Sequence, residues 1–511
     1  MTNFDLSLNI FTFLKQAGVE TLVVCAGARN APLVYGLKEQ NFKVFNYFEE
    51  RSAAFFALGL IKATKKPVAV LTTSGTAVAE LLPAAVEATF QALPLVLITA
   101  DRPKSYRGTG SPQTIEQVGL FSSYVESVYD LDINTEKFDF EWSQKKPLHL
   151  NVSFDEPLID KQNDRQAEVS LKLFNPNVMN TQPIKSTQNP LVILGEIDSK
   201  YKDKIVDYIV KTKAPIYAES LSQIKYIPEI ESYFTQSVEQ IFKLKICDSV
   251  IRIGGVPTLR FWRDLEQKYK DIPVINYTDL PYSGLARDSG VYKISQLEYQ
   301  GEYPLAKWLL IKQLDSELER NKEILFQKYP LSEQGLTNKL SSIIKTGSLY
   351  LGNSLPIRNW DQFAKCESLN ISANRGANGI DGQIATYLGW SENKSKSFCY
   401  IGDLTALYDL AALGLTPQLN NQSQRNIIIL NNFGGQIFSR VFKNKEFINA
   451  HTTQFYHWAQ MWNWDYLQVS CIEDLQKISV LETDFNIVEV LPSAEQTELF
   501  WSEWDKLCQP V

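Results

Sequence analysis

Histidine is scarce in this 511-residue chain, with only His149, His451 and His457. So few imidazoles argue against a zinc hydrolase or a Ser-His nucleophile. His451 and His457 lie close together in HTTQFYHW, but no third ligand stands near them in sequence, so they read as structural. The six cysteines (Cys25, Cys247, Cys366, Cys399, Cys471 and Cys508) are far apart and form no C-x-x-C pair. That pattern fits reduced, mostly buried thiols in a cytoplasmic protein. No stretch reaches 18 uninterrupted apolar residues, which leaves no candidate for a membrane span. The N-terminal MTNFDLSLNIFTFLK lacks the charged region, apolar core and cleavage site of a signal peptide. Positive charge is not in excess either. A net charge of −7 disfavours nucleic acid and anionic membranes as partners, because neutralising phosphates needs a basic face.

What is present is ordinary globular material, 44% apolar and 21% charged, in a chain long enough for two to four domains. Residues 1–165 alternate helix-like and strand-like segments. A helix over Leu6–Ala17 stops at Gly18. Strands over Thr21–Cys25, Phe42–Tyr47, Pro67–Leu71 and Pro94–Thr99 each run into a polar turn, the second at Glu49-Glu50-Arg51. Strand, polar turn and helix in alternation predict a doubly wound parallel sheet. A polar stretch from about 160 to 188 reads as a linker. A second α/β unit, 185–315, has strands near Leu191–Leu194, Ala214–Tyr217, Ser249–Ile253 and Val274–Tyr277. Helical, charge-rich residues 304–345 lead to a third unit, 335–511, whose first strand is Ser348–Leu351. The fold class expected is α/β, with three such domains sharing no visible sequence identity.

The sharpest chemistry lies between Phe398 and Phe438. Two apolar runs, Phe398–Ile401 and Ile427–Leu430, have the length of buried parallel strands. They end in Gly402-Asp403-Leu404 and in Asn431-Asn432-Phe433-Gly434-Gly435, with a short helix expected between them. Polar clusters at the carboxyl ends of neighbouring strands are where open α/β sheets bind ligands. Asp403 offers a carboxylate oxygen, Asn432 an amide oxygen, and Gly434, lacking a Cβ, can turn its carbonyl inward. Such oxygens, with room left for phosphate and water, describe Mg²⁺ held through the phosphates of a ligand.

Other constellations are less specific. Glu50, with Glu49 as its competitor, could be a desolvated acid for proton transfer or simply a carboxylate at a helix start. Only 14 of the 51 basic residues are arginine, yet Arg29, Arg102, Arg260, Arg358 and Arg375 each stand at or just beyond a strand-end turn or Gly-bearing loop. Arg binds carboxylates bidentately and keeps its charge in a closed site, so the pattern suggests a substrate rich in carboxylates. Segment 374–382, NRGANGIDG, brings glycines that allow close backbone approach, and Ile380 could wedge against a ring. It contains neither of the usual nucleotide-phosphate glycine motifs.

Together these motifs resemble a known family. GARNAPL, EERSAAFFALGL, TSGTAVAELLPA, TADRP with Gln113, GNSLPIR, NRGANGIDG, GDLTALYDL and NNFGGQIF are similar to the 2-succinyl-5-enolpyruvyl-6-hydroxy-3-cyclohexene-1-carboxylate synthases. These are thiamine diphosphate enzymes of menaquinone synthesis, and the likeness spans nearly the whole chain. The resemblance implies a pyrimidine-binding first domain, a central domain and a diphosphate-binding last domain. It implies a homodimer or homotetramer with active sites at subunit interfaces. The implied cofactors are thiamine diphosphate and Mg²⁺, or Mn²⁺ in its place. The implied reaction decarboxylates 2-oxoglutarate and adds the resulting succinyl carbanion to isochorismate, the thiazolium acting as electron sink. Glu50 then corresponds to the glutamate that hydrogen-bonds the aminopyrimidine, and Asp403, Asn432 and the Gly434 carbonyl to the metal ligands. Thr76, Gly379, Ile380 (the wedge), Gly402, Leu404, Gly435 and Ile437 complete the cofactor site. Arg29, Arg102, Gln113, Arg260, Ser354, Arg358 and Arg375 match substrate-site positions, with Ile437, Phe438 and Val441 as an apolar wall. Two departures stand out. Leu404 replaces the second glycine of the usual Gly-Asp-Gly, as in one branch of the superfamily. Ala28 lacks the serine hydroxyl that relatives carry, with Asn30 the candidate to replace it. The alternatives are a decarboxylase or carboligase for another 2-oxo acid, and a non-catalytic scaffold on the same fold.

Overall fold

The central strands of these units are short and buried along their length, which in an α/β protein requires cover on both faces. The computed structural model describes residues 1–160, 167–176, 189–225, 227–299, 301–365, 369–442 and 444–507. The first sheet contains β1 (Thr21–Val24), β2 (Lys43–Asn46), β3 (Val68–Thr72), β4 (Leu95–Asp101), β5 (Val128–Leu131) and β7 (Leu148–Ser153). Its order is β2-β1-β3-β4-β7-β5, and every pairing is parallel. Beside it, β6 (Phe138–Trp142) and β8 (Val169–Leu173) form a two-stranded parallel ribbon. The second sheet, from β9 (Pro190–Leu194), β10 (Ile216–Ala218), β11 (Ser249–Ile253), β12 (Val274–Tyr277) and β13 (Gly290–Tyr292), is ordered β10-β9-β11-β12-β13. The third contains β14 (Ser348–Leu351), β15 (Asn370–Ser372), β16 (Lys396–Gly402), β17 (Gln424–Leu430), β18 (Asp465–Val469) and β19 (Phe485–Val490), ordered β15-β14-β16-β17-β19-β18.

Counting each sheet's strands from its own first, both six-stranded sheets run 2-1-3-4-6-5 and the five-stranded one 2-1-3-4-5. The expected α/β class, built three times on parallel sheets, is what the chain adopts. Each sheet has its own apolar core. The order reverses between the first and third strands, so the loops after β1 and β3, and after β14 and β16, flank the crevices where such sheets take ligands.

By packing, the chain divides into two compact units. The first is Met1–Pro176 with Asn374–Ser395 and Leu404–Gln424, and holds the first sheet. The second is Asn177–Ala373 with Lys396–Asp403 and Arg425–Val511, and holds the other two. Within the first unit the Glu50–Thr64 helix crosses the Gln383–Trp390 helix at two glycines. A Cβ on Gly59 would lie 2.0 Å from the Thr386 carbonyl oxygen, and one on Gly389 2.2 Å from that of Phe56.

Several expectations are corrected. The strand expected over Phe42–Tyr47 is shorter, Lys43–Asn46, and Glu50, in the turn beyond it, is already the first residue of a helix. The stretch 160–188 is not all linker, because β8 pairs within it; residues 161–166 and 177–188 lie outside the described residues. Helical 304–345 is two helices, Leu305–Lys328 and Glu333–Ile343, interrupted around Pro330. Between β16 and β17 a short helix, Asp403–Tyr408, passes into a 3₁₀ stretch, Leu410–Gln418. Cys25, Cys247 and Cys399 are buried free thiols, Cys471 is half-buried, and Cys366 and Cys508 lie outside the described residues. Among the described residues no helix is long and apolar enough to cross a membrane.

Candidate functional site

The two polar clusters singled out in the sequence do emerge from adjacent strands, β16 and β17. Asp403, at the end of β16, is 3% exposed. Its Oδ2 accepts the Gly434 N–H at 2.9 Å and lies 3.1 Å from His451 Nε2. Beyond β17 the two asparagines behave differently. Asn431 donates through Nδ2 to Glu489 (2.6 Å) and to the Thr453 carbonyl (3.0 Å), while its Oδ1 accepts from Phe433 N–H at 3.2 Å. Asn432 donates through Nδ2 to Glu333 Oε1 at 2.7 Å, but its Oδ1 is buried with no hydrogen-bond partner among the described residues. An acceptor withdrawn from water and left unmatched costs about 1–3 kcal/mol unless something positive meets it.

Gly434 sits at φ +144, and a Cβ there would lie 2.6 Å from the Ile448 carbonyl oxygen, so only glycine fits. Its own carbonyl accepts from Gln436 N–H at 2.9 Å and keeps a second lone pair. A carboxylate, an orphaned amide oxygen and a backbone carbonyl make a hard oxygen donor set, which fits Mg²⁺ or Mn²⁺. Among the described residues no three His, Cys, Asp or Glu side chains are grouped so as to hold a metal ion, which leaves this mixed set of oxygens as the candidate.

In the first unit, Glu49 and Glu50 separate cleanly. Glu49 is the N-cap, with its two carboxylate oxygens accepting from Arg51 and Ser52 N–H at 3.1 and 3.0 Å. Glu50, one residue on, is half-buried, and burial pushes its carboxyl above the usual range, with the charges of Glu49 and Glu80 adding to the effect. Thr76 opens a short helix after β3. Gly75 before it, at φ +85, is held by its N–H to Gln117 Oε1 at 3.0 Å. The 374–382 loop is tied down by a fully buried carboxylate: Glu87 accepts from Gly376 and Ala377 N–H at 2.8 and 2.7 Å. Gly379 accepts from Gln383 Nε2 at 2.7 Å, and Ile380 beside it stays half-buried.

The predicted substrate residues divide between the two units. Arg29 donates to the Phe154 carbonyl at 3.1 Å and pairs with Glu156 at 3.5 Å; Arg102 donates to the Pro112 carbonyl at 3.1 Å. Gln113, at φ +56, is exposed, and Arg375 lies within the charge field of Glu87. These four, with Glu50, Thr76, Gly379, Ile380 and Leu404, belong to the first unit. Arg260, Ser354, Arg358, Gly402, Gly435, Ile437, Phe438 and Val441 belong to the second, with Asp403, Asn432 and Gly434. Ser354 occupies a left-handed conformation (φ +76), and its carbonyl accepts from Arg358 at 2.7 Å. Arg260 is 72% exposed on its side chain and 3.9 Å from Asp264. Phe438 and Val441 are exposed. Asn30 does not replace the missing Ala28 hydroxyl. It is fully buried and bonded within its own loop, donating to the Cys25 carbonyl and accepting from Gly27 N–H, both at 2.9 Å.

Residues 5–120 match the family model described as thiamine pyrophosphate enzyme, N-terminal TPP binding domain. Along its whole length the chain is similar to proteins called 2-succinyl-5-enolpyruvyl-6-hydroxy-3-cyclohexene-1-carboxylate synthase. It is 43% identical to the one from Bdellovibrio bacteriovorus, covering 99% of each chain. It is 35% identical to that of Akkermansia muciniphila over 94% of this chain and 95% of the relative. It is 31% identical to that of Lysinibacillus sphaericus over 97% and 96%. The chain belongs to this synthase family.

For a member of the synthase family, two residues of the described structure, Glu333 and Glu87, carry no sequence signal of a role, and a third, His451, is placed differently from its sequence reading. Glu333 is 2% exposed and lies against Asn432; burial, partly offset by the Asn432 and Asn359 amides and reinforced by the Asp403 charge, leaves its carboxyl pushed up to about 7. Its only local signal was Ser332 before it, a helix N-cap. Glu87 lay in an unremarkable alanine-rich helix. His451 reads as structural in sequence, yet the fold brings its ring to Asp403.

Proposed function

We propose that the chain catalyses its family's reaction in menaquinone biosynthesis, a transferase step that decarboxylates 2-oxoglutarate and adds the succinyl carbanion to isochorismate. The full-length likeness to the Bdellovibrio synthase supports this reading. The observation that carries the ion site is the orphaned Oδ1 of Asn432, in a loop whose Gly434 N–H binds Asp403. In this proposal Asp403, Asn432 and the Gly434 carbonyl hold Mg²⁺ or Mn²⁺, which anchors the diphosphate of the cofactor. Gly402, Leu404, Gly435 and Ile437 line the diphosphate end, while Thr76, Gly379 and Ile380 take the rest. Thiamine diphosphate, when bound, supplies the electron sink for decarboxylation. Glu50, with its carboxyl held up by burial, would hydrogen-bond the pyrimidine ring of the cofactor and hold a proton there.

Arg29, Arg102, Gln113, Arg260, Ser354, Arg358 and Arg375 bind the substrate carboxylates, with Ile437, Phe438 and Val441 as apolar wall. Arginine suits this because its fork matches a carboxylate and never loses its charge. We further propose three domains, 1–165, 185–315 and 335–511, in a cytoplasmic homodimer or homotetramer with active sites at the subunit interface. Calorimetric titration with thiamine diphosphate should give heat with Mg²⁺ present and none without it. The loaded protein should then release CO₂ from 2-oxoglutarate and consume isochorismate. Faster CO₂ release from pyruvate, or no binding of the cofactor, would sink the proposal.

A further inference from the structure

We infer that Glu333 is a positioning residue for the ion site: its carboxylate holds the Asn432 amide so that Oδ1, and not Nδ2, faces the cation. This rests on the reading of Asn432 as a metal ligand. A side-chain amide can turn by half a rotation about its last bond and present either its acceptor or its donors. Presented with Nδ2, the same residue would repel a divalent ion. An asparagine ligand therefore needs something that tells its two ends apart, and a carboxylate does so because it accepts and does not donate when ionised.

Glu333 meets this requirement. Asn432 Nδ2 donates to its Oε1 at 2.7 Å, and Asn359 Nδ2 approaches its Oε2 at 3.4 Å, so amide donors converge on it from two elements. The carboxylate belongs to neither ligand-bearing strand; it starts the Glu333–Ile343 helix. Its backbone is pinned there, its N–H donating to Thr497 Oγ1 (3.1 Å) and its carbonyl accepting from Thr337 Oγ1 (2.7 Å). Asn431, one residue away, shows the same device carried further. Glu489 takes its Nδ2 at 2.6 Å, but Asn431 Oδ1 already accepts from Phe433 N–H at 3.2 Å, so of the two amide oxygens it is Asn432 Oδ1 that has both lone pairs uncommitted. Groups behind metal ligands typically change metal affinity by roughly 10–100-fold when removed.

The test titrates Mg²⁺ into protein held with excess free thiamine diphosphate and reads the heat, beside the melting temperature of the apo protein. Glu333→Leu should raise the Mg²⁺ needed for half-saturation by roughly 10–100-fold. Glu333→Gln, which keeps an acceptor but adds a donor that blurs the distinction between the two ends of the asparagine amide, should raise it by an intermediate factor. A double-mutant cycle gives the decisive sign and serves even where the leucine variant does not fold. Asn432→Asp alone sets two carboxylates against each other and weakens Mg²⁺ binding. Adding Glu333→Gln supplies an amide donor for the new aspartate and should recover much of the loss. Additive effects in that cycle, or a Glu333→Leu protein with a lowered melting temperature and unchanged Mg²⁺ requirement, would overturn the inference. An Asn432→Ala protein that binds Mg²⁺ and thiamine diphosphate normally would instead overturn the ligand assignment beneath it.

Discussion

Of the two adjacent acids before the Arg51 turn, Glu49 caps the helix through the Arg51 and Ser52 N–H groups, while burial holds the Glu50 carboxyl above its usual range, which assigns them different work. Glu49→Ala should cost about 0.5–2 kcal/mol of stability through the lost cap, readable as a lower denaturation midpoint. Glu50→Gln should leave stability and cofactor binding near normal while slowing turnover by roughly 10²–10⁴-fold. A Glu50→Gln protein that turns over at the original rate would move the proton role elsewhere. The sequence could name the pair but not divide it, because capping is decided by where the helix begins. The same limit applied at Asn30, whose amide proved to be a clasp for its own loop. Of the two asparagines after β17, Asn432 was the ligand expected from sequence, and their neighbours, Glu489 and Glu333, show how the two differ.

At the scale of elements, the Glu50–Thr64 and Gln383–Trp390 helices approach so closely that their crossing tolerates no Cβ. Gly59→Ala should push them apart and destabilise the first unit by at least about 1–3 kcal/mol, measured by chemical denaturation. Close crossing also fixes the register of the loop that precedes the second helix, and Glu87 completes that fixation from below. Glu87→Gln leaves one of the two loop N–H groups without an acceptor, costing about 1–3 kcal/mol. If Arg375 binds substrate carboxylates, the same variant should raise KM more than it lowers kcat. Strand elements followed a simple rule of legibility. Mostly apolar strands buried along their whole length, such as β11, β12 and β14, were placed to the residue, whereas β6, with every second residue exposed, and the three-residue β13 and β15 gave no such signal.

The whole molecule couples burial to pH and to ligand. His149 is fully buried, with Nε2 2.7 Å from Thr99 Oγ1, and burial lowers its pKa from 6.5 to about 3. The unfolded chain therefore takes up a proton below pH 6.5 that the folded one refuses. Stability from this group is complete above pH 6.5 and is lost as pH falls towards 3, at up to about 1.4 kcal/mol per unit. Denaturation midpoints at pH 7 and 5 should show this slope, and His149→Gln should flatten it. Mg²⁺ with thiamine diphosphate at a hundredfold its dissociation constant should add about 2.7 kcal/mol, an upward shift in melting that Asp403→Ala abolishes. Composition and period were enough to determine the α/β class, the repeated strand–turn–helix plan and the polar clusters at strand ends, because hydrophobic patterning and turn chemistry act over a few residues. Tertiary structure alone decided which oxygens are left unpaired, which carboxylates stand behind them and which glycines let helices touch. Those outcomes depend on partners such as Glu333 and Asn432, 99 residues apart, and local sequence holds no record of a contact that only folding creates.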